Sequence, residues 1–211
     1  CKSLGVKRLS FISTFAVAWL SADEKKQPLW HSDYYAWTKH KAEKTCREQL
    51  GTSATKYSII RPTSIFSDKH TNSSSISSIL QKWAKTRSLA LVPSAKINLI
   101  SADSVSQVIY DECCNQGINR TINLVGDDLT FKELIKILAK HKPLVFELPF
   151  AGTAVQLVAL LASAFSVLTK RNSELCFGKI KQYFSTLKQP ETNSEIQIHI
   201  SSRDFLTSFS N

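Results

Sequence analysis

Short apolar runs alternate along this chain with segments whose apolar residues recur every three or four positions. Leu9-Ser10-Phe11-Ile12 follows Gly5-Val6-Lys7-Arg8, which predicts a tight turn leading into a buried strand. From Ser32 to Leu50 helix formers dominate, and Tyr35, Lys39, Ala42, Glu43 and Cys46 fall on one face, predicting a helix capped by Ser32 or Asp33. Tyr57-Ser58-Ile59-Ile60 predicts a second buried strand, closed by Arg61-Pro62 because proline cannot donate to a ladder. The polar stretch from Ser67 to Ser78 reads as a surface loop running into a helix that ends near Thr86. Val105, Val108, Ile109 and Cys113 give Ser101 to Asn115 a helical period, and Arg120 to Val125 reads as a strand. Thr130 and Glu133 form a capping-box pattern ahead of Leu134, Ile135 and Leu138. After residue 142 the alternation stops and a mostly helical region is expected. Within it, Glu195 to Ile200 alternates like a half-buried edge strand with Ile196, Ile198 and Ile200 on one face.

Strands alternating with helices at short spacing predict βαβ units, hence an α/β fold with a mainly parallel sheet. The length of 211 residues suits one sizeable core with a small appended subdomain. The net charge of +10 lies wholly in the first hundred residues, with sixteen Lys/Arg against six Asp/Glu. Its lysines are scattered and lack interleaved aromatics, so nucleic acid is not expected as a partner. An anionic small molecule is a better use of that surface. The five cysteines show neither CxxC nor His at metal-ligand spacing, so no metal site is expected and a reducing, cytoplasmic setting fits. The five histidines are isolated, and Trp19, Trp30, Trp37 and Trp83 read as packing residues; Cys113-Cys114 reads as one side core and one side exposed.

Tyr35-Ala36-Trp37-Thr38-Lys39 sets a phenol and an ammonium one helical turn apart. A nearby cation favours phenolate, so Lys39 is expected to lower the pKa of Tyr35 and make it a general acid/base near neutrality. Alone, the pair also reads as a surface contact between residues four apart on a helix.

Its neighbours change the picture, because five ordered segments over residues 2–140 resemble the extended short-chain dehydrogenase/reductase family. Gly5 to Thr14 resembles the strand that delivers the catalytic Ser/Thr, and Tyr35-x-x-x-Lys39 with Ala42-Glu43 resembles the catalytic helix. Tyr57 to Phe66 is similar to the next strand and the nicotinamide loop. Ile97 to Val105 and Thr121 to Gly126 are similar to later segments of the same fold.

The resemblance implies the later half of a Rossmann-like doubly wound parallel sheet with a small, mostly helical substrate subdomain. Residues 1–142 would form a partial NAD(P)-binding catalytic domain with a substrate-loop insertion at about 67–96, and residues 143–211 a helical substrate-binding and carboxy-terminal region. It further implies Thr14, or the adjacent Ser13, orienting the substrate oxygen, Tyr35 moving the proton, Lys39 also bonding the cofactor ribose, and Arg61, Pro62 and Thr63 lining the nicotinamide side. NAD or NADP is the implied cofactor. The glycine-rich pyrophosphate turn is expected upstream of Cys1, so the chain reads as a carboxy-terminal part that is inactive by itself. Phe15-Ala16 stand where sugar 4,6-dehydratases carry Asp-Glu. The expected activity is therefore oxidation or reduction of a small-molecule carbonyl or alcohol. A nucleotide-sugar epimerase/dehydratase and a non-catalytic dinucleotide-binding subunit are the alternatives. Homodimerisation through the Tyr-bearing helix stays open. Leu148 to Thr169 carries no charge and is expected to pack on the subdomain or lie at a membrane surface without crossing it.

Overall fold

The computed structural model describes residues 5–27, 33–67, 85, 89–115, 117–148, 157, 160–161, 195–201 and 206. Among them are strands β1 (Arg8–Ile12), β2 (Lys56–Pro62), β3 (Ser64–Phe66), β4 (Leu89–Pro93), β5 (Lys96–Ser101), β6 (Arg120–Val125), β7 (Asp127–Thr130), β8 (Leu144–Leu148) and β9 (Glu195–His199). The helices are α1 (Ala22–Lys26), α2 (Tyr34–Leu50), α3 (Ala102–Cys114) and α4 (Phe131–Leu138), with a 3-10 turn at Phe15–Trp19.

Four strands pair in the order β1-β2-β6-β9, every pair parallel. Successive side chains of a strand point to opposite faces, and here each face takes one helix. Ile60, Ile122 and Leu124 bury against Val105 of α3, with Ile12, Val108 and Ile109 packed around them. Arg61, the next residue of β2, points the other way, to Glu43 of α2. Fully burying each of these large apolar chains contributes roughly 1.5–3 kcal/mol.

On the α3 face one carboxylate organises the polar contacts. Glu112, 4% exposed, accepts from Ser58 at 2.5 Å and from Arg8 at 2.8 Å, and pairs with Arg120. Cys113 and Cys114 beside it are both exposed. This corrects the expectation that one of the pair enters the core: the inward position goes to Glu112, whose charge three strand residues satisfy.

Two smaller sheets continue the fold. β3 and β5 are parallel and β5 and β7 antiparallel, and with α4 they enclose Phe66, Ile97, Leu99, Leu129, Leu134, Leu138 and Leu206. On the other flank of α4, Val92 of the parallel β4–β8 pair packs on Ile135 and Ala139. The predicted capping box of Thr130 and Glu133 starts α4, and Ser101 caps α3. β4 falls inside the 67–96 insertion. β8 and β9 belong to the 143–211 region, and β9 is the predicted edge strand, with Ile198 and Ile200 turned to the α3-side core. The helix expected before Thr86 and most of the 143–211 helical region lie outside the described residues. Most of the uncharged Leu148–Thr169 stretch does too; no helix among the described residues is long and apolar enough to cross a membrane.

The main sheet meets the second at Gly126. A Cβ there would stand 1.6 Å from the Leu99 carbonyl oxygen, so only glycine lets β5 pass this close. Asn98 completes the junction: its Oδ1 accepts from the Gly126 amide at 2.7 Å, and its Nδ2 donates to the Gly126 carbonyl at 2.8 Å. Gly126→Ala should therefore cost at least ~3 kcal/mol, beyond an ordinary overpacking substitution. Urea unfolding of the variant beside wild type checks this, and a loss under ~1 kcal/mol would show that the junction yields easily.

Candidate active site

The carboxyl ends of β1 and β2 lie side by side, and every candidate residue stands there. β1 ends at Ile12, and Ser13 and Thr14 follow directly. The Ser13 amide still donates to the Ile60 carbonyl of β2 at 2.7 Å, so both residues are held at the sheet edge. Thr14 caps the 3-10 turn, its hydroxyl accepting from the Ala16 amide at 3.3 Å. The turn packs Ala16 and Leu20 against Ala36 of α2, which brings the Thr14 segment beside the first turn of that helix.

α2 begins where its sequence directs. Asp33 is the N-cap, and its Oδ1 accepts from the Tyr35 amide at 3.0 Å and from the Ala36 amide at 3.2 Å. Tyr35 is half exposed. Lys39, one turn on, donates to the Ile12 carbonyl at 2.9 Å. Its ammonium lies 5.4 Å from the Phe11 ring centre and 5.8 Å from that of Tyr35.

That geometry corrects one expectation. Lys39 does not lower the Tyr35 pKa here: partial burial, then the charge of Asp33, push the phenol above its ordinary value. The ammonium is drawn to the Ile12 carbonyl instead, and the cap carboxylate is the nearer charge in effect.

Ser13 and Thr14, adjacent in sequence, are given different work. Ser13 is buried and its hydroxyl donates to Oε1 of Glu43 at 2.6 Å. Thr14 is partly exposed, and its hydroxyl proton has no acceptor among the described residues. Of the two, Thr14 retains a donor for a ligand.

The third segment follows β2. Arg61 is 5% exposed and its guanidinium is engaged on three sides, with Nε to Glu43 Oε1 at 2.9 Å, Nη2 to Glu43 Oε2 at 2.7 Å, and Nη1 to Glu195 Oε1 at 2.9 Å. Thr63 donates its hydroxyl to Asn98 at 2.6 Å and its amide to the Leu124 carbonyl at 3.0 Å. The Arg61 and Thr63 side chains and the Thr63 amide therefore all hold the framework.

Glu43 is the residue whose part the pattern did not reveal. It was visible only as a charged member of a helical face, and only the fold sets it at 0% exposure between two strands and Arg47, whose Nη2 lies 3.2 Å from its Oε2. Burial alone would push its carboxyl up. Hydrogen bonds and charge from Arg61, with Ser13 and Arg47, outweigh that and hold it below the ordinary range. Glu112 is held down in the same way against its own burial, by Arg120, Ser58 and Arg8.

Lys39 keeps two N–H donors beyond its bond to Ile12, a number that suits ribose hydroxyls, while the Thr63 amide and the β3 backbone are already bonded within the sheets. The six glycines include no Gly-x-Gly-x-x-Gly spacing for a pyrophosphate cradle.

Comparisons with known proteins bear on the family and the fold. A model of the NAD-binding family described as Male sterility protein matches residues 1–109. Among solved structures, gox2253 superposes with a TM-score of 0.60 at 14% identity, covering 97% of this chain and 65% of its own. UDP-glucose 4-epimerase from Thermus thermophilus, in complex with NAD, gives 0.52 at 15% identity over 71% of this chain and 53% of its own. RMD from Pseudomonas aeruginosa, complexed with NADPH, gives 0.51 at 17% over 70% and 56%. At these identities the likeness is one of fold, and the chain spans less than two thirds of each of these structures. No curated protein matches the sequence.

Two stability measurements test the buried pair. Arg61→Ala strands Glu43 without its main partner and should cost about 3–5 kcal/mol in denaturant unfolding. The folded pKa values of Glu43 and Glu112 are depressed, so their stabilisation is present above the ordinary glutamate value of 4.5 and is lost as the pH falls through the folded values. The melting temperature should drop on acidification below that value, and Glu43→Gln should flatten part of the drop. Equal acid sensitivity in the variant would show that Glu43 contributes nothing to it.

Proposed function

Since the chain belongs to the NAD-binding Male sterility protein family, we propose that it is the catalytic part of an NAD(P)-dependent oxidoreductase that reduces a carbonyl, or oxidises the alcohol, through Thr14, Tyr35 and Lys39. The observation that supports this most is the Lys39 bond to the Ile12 carbonyl, which ties the Tyr35 helix to the strand that leads into Thr14.

Bound NAD(P)H supplies the hydride in the reducing direction. Thr14 offers its hydroxyl proton to the substrate oxygen and orients it. Tyr35, with its pKa raised, stands protonated at neutral pH, the form that carbonyl reduction consumes. Lys39 ties the helix to the end of β1 and offers its remaining N–H donors to the cofactor ribose.

The two residues after Thr14 favour this reading over a dehydratase. Phe15 and Ala16 are buried apolar side chains in the 3-10 turn, so no second acid/base pair stands there. Tyr35→Phe removes the proton and, in the full-length protein, should lower NAD(P)H-dependent turnover of an aldehyde and ketone panel by on the order of 10²–10⁴. Wild-type turnover in that variant would overturn the assignment, and redox-neutral conversion of a nucleotide sugar would move it to the epimerases.

A further inference from the structure

We propose that Glu43 is a positioning residue for this site, setting the relative placement of Thr14, Lys39 and the segment after Arg61 through bonds to Ser13 and Arg61. The inference rests on the catalytic reading above and goes beyond it, because Glu43 touches no reacting group.

Three site segments converge on this one carboxylate. Ser13, directly before Thr14, donates to Oε1 at 2.6 Å. Arg61, directly before Pro62 and Thr63, donates to both oxygens at 2.9 and 2.7 Å. The helix that carries Glu43 also carries Lys39 one turn earlier, on the same side. Stability alone does not call for such a group, since a buried ion pair is often replaceable by apolar residues at no loss. What a bidentate carboxylate adds is direction: sliding α2 along the sheet breaks several short bonds at once, whereas apolar contacts would tolerate the slide. The arrangement reaches further through Arg61 to Glu195, so the edge strand β9 leans on the same guanidinium. Asn123 of β6 donates to Glu195 from the next strand at 3.4 Å.

The test follows Tyr35 and Lys39 in Glu43→Gln, an isosteric change that leaves Ser13 an acceptor and weakens the hold on Arg61. Tyrosine labelled with 13C at Cζ, assigned through Tyr35→Phe, reports the phenol titration by NMR, and lysine labelled at Cε reports Lys39. In folded Glu43→Gln the Tyr35 midpoint should move by about half a pH unit or more and the Lys39 signal should shift. In the full-length protein, NADPH- or NADH-dependent turnover of an aldehyde from that panel that the wild type accepts should fall ~10- to 100-fold, the cost of an ångström-scale misplacement, and this loss should vanish in a Tyr35→Phe background. A purely structural Glu43 would lower the melting temperature and leave the Tyr35 midpoint and Lys39 signal where they were, and that result overturns the proposal. If Glu43→Gln does not fold, Ser13→Ala decides by the same signals: it removes one of the Glu43 bonds while keeping the Glu43–Arg61 pair, and an unmoved Tyr35 midpoint there counts against the proposal. Should the midpoint move in Glu43→Gln while Tyr35→Phe turns over normally, the positioning role stands and the catalytic reading falls.

Discussion

A carboxylate taken out of water must find charge and hydrogen bonds, and the layout of β1, β2 and α2 follows from how Glu43 meets that demand. Its oxygens receive Ser13, Arg61 and Arg47, groups drawn from the end of β1, the end of β2 and its own helix. A side chain with so many partners admits few alternative placements of α2 on the sheet. The polar demand and the site geometry are thus two aspects of one arrangement.

The opposite face repeats the device with different parts. Glu112 on α3 gathers Arg8 from β1, Ser58 from β2 and Arg120 from β6, so each helix flanking the parallel sheet is pinned by one acid against strand arginines. Apolar packing between α3 and the sheet supplies the larger share of stabilisation, while the ion clusters supply register. The arrangement also accounts for part of the basic surplus in the first hundred residues. Arg8 and Arg61 are engaged inside the fold, and the partly exposed Arg47 pairs with the same buried acid as Arg61.

At the sheet's carboxyl edge the same constraint separates neighbours in sequence. Ser13 faces inward to Glu43 and Thr14 outward, because successive residues leaving a strand alternate sides. The alternation turns an ambiguous pair of hydroxyls into one structural group and one available group. Arg61 and Thr63 are likewise committed to Glu43, Glu195 and Asn98, and the Thr63 amide to the Leu124 carbonyl.

Local pattern was enough for the elements whose signals are local. The Asp33 cap, the Thr130–Glu133 box, the strands Arg8–Ile12 and Arg120–Val125 and the alternating edge strand at 195–199 could all be read from residues within a few positions of one another. The order of Thr14, Tyr35, Lys39 and Arg61-Pro62-Thr63 likewise carried the family resemblance. What periodicity could not supply is anything decided by partners far apart in sequence. Glu43 and Glu195 find Arg61 across 18 and 134 positions, and Gly126 is required by a carbonyl on β5, not by any turn of its own. The inward seat of Glu112 over its cysteine neighbours and the raised pKa of Tyr35 have the same origin. A lysine four residues from a tyrosine is a statement about spacing, but where its ammonium goes is settled by the carbonyl that the strand end offers it.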